Sequence, residues 1–328
     1  MSLVMIIAFI QQSIRLSSTL LLGSTGEIIT EKSGNLNLGT PGIMASGAIS
    51  GIIGAYFYTK SGLAFNPFLS ILITLLCSVI GSLLTTLIYC FLTITLKTNQ
   101  NVTGLALTTF GVGMSNFIGS LINGLMGGTG IAAFPEIGKA YRAALPFASK
   151  LGFIGEILLS YGFMTYLAIA IAVIAGLVIA KTRVGLNLRA VGENPATADA
   201  AGINVVKYKY VATCLGGIIS GLGGLCYVMD FATANWQNNI LDQFGWLSVA
   251  LVIFAVWKPN MAVIGSIIFG ALYVVGSFLP NITTKDQKLL DILPYLVTII
   301  VLVIISMRNK KENQPPESLG LSYFREER

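Results

Sequence analysis

The chain has 328 residues, 54% of them apolar and only 10% charged, with a net charge of +6 and no histidine. Ordinary soluble domains carry about 25% charged residues, so the composition excludes a water-facing shell around one core and marks a polytopic membrane protein. The missing histidine removes imidazole relays and most zinc or iron sites. The positive charge forms no basic cluster interleaved with aromatics, which speaks against nucleic acid as a partner.

The fold class read from this pattern is all-α, a helical bundle with about eight to ten spans of about 20 residues each. Apolar stretches fall at 3–22, 42–59, 67–96, 104–125, 162–180, 208–229, 244–257, 262–279 and 291–306. The first lacks a basic leader and contains Gln11, Gln12 and Arg15, so it reads as a retained helix rather than a cleavable signal. Arg15 is expected to face protein or water and to pair with an acid. The third stretch is long enough to tilt or to hide two pieces. The pair after 244 is joined by a tight turn at Lys258-Pro259-Asn260. Cys77, Cys90, Cys214 and Cys226 lie inside apolar stretches without a CxxC pair and read as small buried side chains.

Lys and Arg concentrate in the loop 181–209, at Lys258 and in the tail after 306. Threading the spans puts all three on one side, which the distribution of basic residues makes cytoplasmic. The segments 127–161, 230–243 and 280–290 then face outward, and the side of the N-terminus stays open. Residues 1–306 form the transmembrane domain, and the polar tail 307–328, with Pro315-Pro316 and mixed charges, is expected to be disordered.

Within the loop 182–207, Asn194 is a good N-cap, Pro195 suits the first helical position, and Gly202 can end a helix in the left-handed conformation. Asn194–Gly202 therefore reads as a short helix. It lacks the large apolar anchors of a membrane-surface connector, and its small side chains, Ala198 and Ala201 among them, allow close approach to a concave partner. Gly47-Ala48-Ile49-Ser50-Gly51 and Gly217-Ile218-Ile219-Ser220-Gly221 are small-xxx-small patterns for helix packing. Ser33-Gly34-Asn35-Leu36-Asn37-Leu38-Gly39 sets two amides among glycines just before a span. It reads either as a stretch lining a polar pathway or as an Asn-capped turn.

Two signatures give this reading a family. Arg189-Ala190-Val191-Gly192-Glu193-Asn194-Pro195 with Asp199 and Ala201-Gly202-Ile203-Asn204 resembles the cytoplasmic coupling loop of ABC importer permeases. GEIITEKSGNLNLGTPGIMASGA, from Gly26 to Ala48, resembles the early segment of the simple sugar and nucleoside branch, which is related to the ribose and branched-chain amino acid permeases: a Glu-containing turn, then Gly-x-Leu-Asn-Leu-Gly and Gly-x-Met. Asn99-Gln100-Asn101-Val102-Thr103-Gly104 is a weaker third match, and Thr40-Pro41-Gly42 departs from the Glu-Gly pair frequent in the nucleoside branch.

The resemblance implies a permease subunit, without catalytic residues, metal or bound cofactor, that imports a nucleoside, simple sugar or similar small polar solute across a bacterial inner membrane. It implies ATPase coupling through Arg189, Gly192, Glu193, Asn194, Pro195, Ala198, Asp199, Ala201 and Gly202, and a pathway near Asn35, Asn37, Gly39, Gly42 and Met44. The implied partners are separate ABC ATPase subunits that use ATP-Mg, a second homologous permease chain, an extracytoplasmic solute-binding lipoprotein and membrane lipid, with this chain resembling the shorter of two permeases. The residues agree in one respect: no GxxxxGK[ST] sequence is present, since Gly138-Lys139 is followed by Ala140. The alternative class is a stand-alone secondary transporter or channel, which would need ion-coupling groups inside the spans.

Overall fold

The computed structural model describes residues 3–127, 132–144, 152–279, 283–308 and 314–325. Fourteen α-helices follow one another among these residues: α1 Leu3–Glu31, α2 Thr40–Lys60, α3 Pro67–Cys90, α4 Gln100–Leu125, α5 Pro135–Tyr141, α6 Gly152–Leu158, α7 Phe163–Lys181, α8 Arg183–Glu193, α9 Pro195–Ala200, α10 Val205–Cys226, α11 Ile240–Phe254, α12 Pro259–Phe278, α13 Thr284–Leu290 and α14 Leu293–Arg308. Eight helices are long and apolar enough to cross a membrane, and Ile240–Phe254 is a shorter apolar helix. The only described β-pairing is a single bridge between Ala133 and Asn235.

α1 is the axis of the bundle. It packs against α10, α12, α11 and α7, and its interior face carries Ser13, Ser17, Ser18, Thr19, Ser24, Thr25 and Thr30, all buried. Such residues suit a helix inside a membrane protein. They are small enough for close approach, and their hydroxyls bond back to the preceding turn, as Ser13 Oγ does to the Phe9 carbonyl at 2.7 Å and Thr30 Oγ1 to that of Gly26 at 3.1 Å.

α3 inverts the soluble pattern. Ser70, Thr74, Ser78, Ser82 and Thr86 recur at four-residue spacing on its buried face, while Leu72, Leu76, Ile80, Leu84 and Ile88 form the exposed face. Lipid tails are as apolar as leucine, so the exposed stripe loses nothing by facing outward and the small polar stripe lets helices close up. The small-xxx-small patterns do this at the centre: a Cβ added at Gly47 would lie 2.6 Å from the Gly221 Cα, and one at Gly221 would strike Ser82.

Several sequence expectations need correction. The first span does not stop at 22 but continues to Glu31, so Glu27 and Glu31 belong to a helix rather than to a turn. The long third stretch is one helix that ends in a π-helical turn, Phe91–Thr95. Pro259 opens α12 at its N-terminus, and the bend before it lies at Val256 and Trp257, with φ of +54° and +52°. A β-branched residue with positive φ is strained, and here the indole Nε1 of Trp257 donates to the Glu31 carboxylate, which helps hold the bend.

The two ends of the bundle are distinct. At one, the α1 C-terminus meets Trp257, the α8 end and the tail. At the other, Gln11 Nε2 donates to the Glu156 carbonyl at 3.0 Å, and the Phe134 amide to the Ala234 carbonyl at 3.0 Å. The N-terminal end of α1 thus lies opposite the α8–α9 end, the eight membrane-length helices and the shorter α11 running between these two ends.

The tail expected to be disordered is folded where it is described. Ser318 donates through its amide (3.0 Å) and its hydroxyl (2.5 Å) to the Gly192 carbonyl, Gly320 donates to the Gly34 carbonyl at 3.3 Å, and the Lys97 ammonium lies 4.3 Å from the centre of the Phe324 ring. Its polar composition signals no core of its own, but it finds hydrogen-bond partners on the bundle. Pro315-Pro316 also lowers the conformational entropy lost on ordering.

Candidate functional site

The loop 182–207 is built from two helices, three side-chain N-caps and one C-cap. Thr182 Oγ1 accepts from the Gly185 amide at 3.1 Å and starts α8. Asn194 breaks the helix in an extended conformation (φ −147°, ψ 95°), and its Oδ1 accepts from the Thr197 amide at 3.0 Å to start α9. The α9 end has the two bonds of a Schellman motif, from Ile203 N to Ala198 O at 3.0 Å and from Gly202 N to Asp199 O at 2.9 Å, with Gly202 at φ +83°. Asn204 Oδ1 then accepts from the Lys207 amide at 2.9 Å and starts α10. The chain reverses here through capped ends, which fixes the geometry of so short a segment.

One face of this unit is inward. Ala198 packs with Val191 and Val205, flanked by Ile203, Tyr208 and Tyr323. The opposite face exposes Arg189, Glu193, Asn194, Ala196, Thr197, Ala201 and Gly202, all charged, polar or small. Asp199 is turned toward the tail, where Tyr323 Oη donates to its Oδ2 at 2.8 Å and Arg325 pairs with it at 3.2 Å. α8 was not anticipated as a helix: it carries Arg189, Gly192 and Glu193, and Gly185 within it packs on the α7 backbone too closely for a side chain.

Gly192 is the joint between this unit and the bundle. A Cβ there would strike the Lys32 carbonyl and stand 3.3 Å from the Gly34 amide. Burial pulls the Lys32 ammonium below its ordinary value. Glu193 counters this, while Arg189 and Lys258 add to it and Glu31 opposes it. The basic segments around 189 and 258 thus act on one group, and the tail reaches the same end through Ser318 on Gly192.

Beyond Lys32 lies a buried polar knot. Glu27 accepts from the Asn37 amide at 3.2 Å and from Thr40 Oγ1 at 2.5 Å, and Asn37 Oδ1 accepts from the Gly39 amide at 3.0 Å. The irregular backbone of 35–39 is tied to the helices around it: the Leu36 amide donates to Gln100 Oε1 at 2.7 Å, Tyr89 Oη donates to the Leu36 carbonyl at 2.5 Å, and Thr108 Oγ1 donates to that of Leu38 at 2.7 Å. Non-helical backbone at such depth persists only when its polar groups are satisfied in this way. Asn35 reaches α10 instead, where its Nδ2 donates to Thr213 Oγ1 at 3.0 Å.

Of the sequence-predicted residues, Asn35, Asn37 and Gly39 come together in or beside this knot. Gly42 lies against the backbone of Leu107 and Thr108 in α4, and Met44 is fully buried beside Gly224 of α10. At the opposite end Arg142 pairs with Asp230 at 3.7 Å, while Arg15, expected to pair with an acid, donates to the Ser160 carbonyl at 3.5 Å and forms no ion pair among the described residues. Arg142 donates through Nη2 to the Phe231 carbonyl at 2.7 Å. Sequence reasoning missed Glu27 as an organiser, Gln100 and the tail residues, because their partners lie 10 to 286 positions away, as between Gly320 and Gly34.

Residues 9–302 match the family described as the branched-chain amino acid transport system permease component. The chain is 33% identical over 294 residues to the nucleoside ABC transporter permease protein NupC of Lactococcus lactis subsp. cremoris, covering 88% of this chain and 89% of that protein. It is 31% identical over 316 residues to the guanosine ABC transporter permease protein NupQ of Bacillus subtilis, covering 95% of each. It is 30% identical over 335 residues to the putative glucose ABC transporter permease protein TsgC13 of Haloferax volcanii, covering 96% of each. With its membrane-spanning helices, its capped loop and a family match along most of its length, the chain belongs to the permease-component family of the branched-chain amino acid transport systems, and is a permease subunit of an ABC importer.

Proposed function

We propose that this subunit passes a nucleoside or a simple sugar inward, driven by a separate ATPase that grips the exposed face of α8 and α9. The reading rests above all on one observation: a two-helix unit, small and polar on its exposed face from Arg189 to Gly202, is joined through Gly192 to the loop that closes the α1–α2 end of the bundle. In this reading Arg189, Glu193, Asn194, Pro195, Ala201 and Gly202 meet the ATPase, Ala198 and Asp199 hold the unit to the bundle, and Gly192 transmits the movement. The end bearing α8, α9 and the tail is cytoplasmic, in keeping with its basic residues.

Closure of two ATPase subunits around ATP-Mg would push this unit as a rigid body. The stretch from Asn35 to Met44, closed by Glu27, Gln100 and Thr108, is the inner gate, which opens when α1, α2 and α4 separate. A second, homologous permease completes the pore, and an extracytoplasmic solute-binding lipoprotein supplies the cargo, all in a bacterial inner membrane. The nucleoside and sugar classes are taken from the names of the relatives, and the polar residues of the gate suit either.

The test uses Glu193, which is exposed and makes no structural contribution to the knot. Glu193→Trp in the assembled importer should lower ATP-driven uptake of radiolabelled guanosine or glucose at least about tenfold, with normal membrane insertion and with ATP hydrolysis no longer stimulated by solute. Unchanged uptake in this variant and in Glu193→Arg would overturn the docking assignment.

A further inference from the structure

Between α9, the π-helical end of α3, the start of α10 and the tail lies a cleft of about 340 Å³, at the small end of the ligand-pocket range of about 300–1,000 Å³. Lys97, Lys209 and Arg325 line it, with Asp199, Asn35 and Tyr323. We propose that this cleft binds a small phosphate-bearing ligand that also offers a hydroxyl or amine hydrogen-bond donor.

Two buried groups carry the argument. Lys209 is only 4% exposed. Its ammonium sits beside Gly34, where a Cβ would come within 3.6 Å, and among the described residues it forms no ion pair or hydrogen bond. A lysine so placed needs a counter-charge or a strongly polar partner. Asn35 is 1% exposed, its Nδ2 is engaged by Thr213, and its Oδ1 is buried with no partner. An ammonium and an amide oxygen on one cavity wall, both unanswered by the protein, ask for a ligand that accepts at one point and donates at another.

The rim sets the charge of that ligand. Three cations, Lys97, Lys209 and Arg325, face one acid, Asp199, whose Oδ2 is engaged by Arg325 and by the Tyr323 hydroxyl. Among the described residues the lining carries three positive groups and one negative, which suits a phosphate rather than a neutral sugar. Lys97 is exposed and rests on the Phe324 ring, so it can swing toward a ligand at little cost. The ligand would bridge Lys209 in α10 to the tail and so hold the tail against α9. Its phosphate can come from solution, as a sugar phosphate or nucleotide, or from the leaflet, as a phospholipid headgroup, since Val206 at the cleft edge is an apolar side chain left 51% exposed.

The experiment uses the full-length chain in detergent, with ribose 5-phosphate, ribose and phosphatidylglycerol as probes. Calorimetric titration should detect ribose 5-phosphate but not ribose, and Lys209→Met and the surface variant Lys97→Gln should each weaken binding about tenfold. Native mass spectrometry reads the other source: a phosphatidylglycerol adduct that persists in the parent chain and drops at least about fivefold in both variants assigns the site to lipid. If neither ribose 5-phosphate nor phosphatidylglycerol binds, or if both variants bind like the parent, the proposal fails. Lys97→Gln keeps the test decisive should Lys209→Met not fold.

Discussion

Glu27 shows how much one buried side chain can organise. Its two oxygens accept from the Asn37 amide and the Thr40 hydroxyl, so it holds the turn that leads from α1 into α2. Glu27→Leu would leave the Asn37 amide buried without a partner, at about 1–3 kcal/mol, and the Thr40 hydroxyl with only the Asn37 carbonyl at 3.1 Å. We expect the melting temperature of the purified chain to fall by several degrees, while Glu27→Gln, which keeps an acceptor, loses clearly less; equal losses would mean that the hydrogen bonds matter little. The sequence marks this residue as an acid near a span but does not reveal that α1 runs past it, because Gly23, Ser24 and Thr25 look like a break. In a membrane helix they are packing residues: a Cβ at Gly23 would strike Ser248. Asn194 was legible for the opposite reason. Its cap is local, and the accepting atom and the donating amide are three residues apart.

Among the elements, the span positions were readable from apolar length, and the short helix at 195–200 from its caps. What was not readable depends on contacts distant in sequence. α8 is amphipathic but polar overall, so it has the composition of a loop. The tail acquires its order from Gly34, Lys97, Gln100, Gly192 and Asp199. A chain ending at Met307 should therefore still insert and fold its spans, while trypsin cleavage at Arg189 or Lys207 accelerates about tenfold. Unaltered cleavage would mean that the tail covers nothing of consequence. The candidate gate was legible as a polar stretch but not as a closed one, because closure is supplied by Tyr89, Gln100 and Thr108 from α3 and α4.

For the molecule as a whole, eight membrane-length helices and the shorter α11 leave the start of α1 and the tail at opposite ends. Asp199 and Glu136 should accordingly be reached from opposite sides of the membrane. In a chain whose four native cysteines are replaced, Thr197→Cys should react with an impermeant maleimide only after the cytoplasmic face is opened, and Glu136→Cys in intact cells. Labelling of both from one side would overturn the threading.

The shortest crossing, α11, has a consequence for the surrounding bilayer. Its 15 residues span about 22 Å at 1.5 Å per residue, against a hydrocarbon layer of about 30 Å. The shortfall is made up by residues 232–239, where Thr233, Ala234 and Asn239 all have positive φ. Amides of this segment are met within the protein, that of Ala234 by the Val228 carbonyl at 2.7 Å, that of Trp236 by the Ala132 carbonyl at 3.0 Å and that of Asn239 by Asn116 Oδ1 at 3.1 Å. A loop so satisfied can sit below the headgroup level without unmet amides, so the shortness of α11 need not thin the surrounding bilayer.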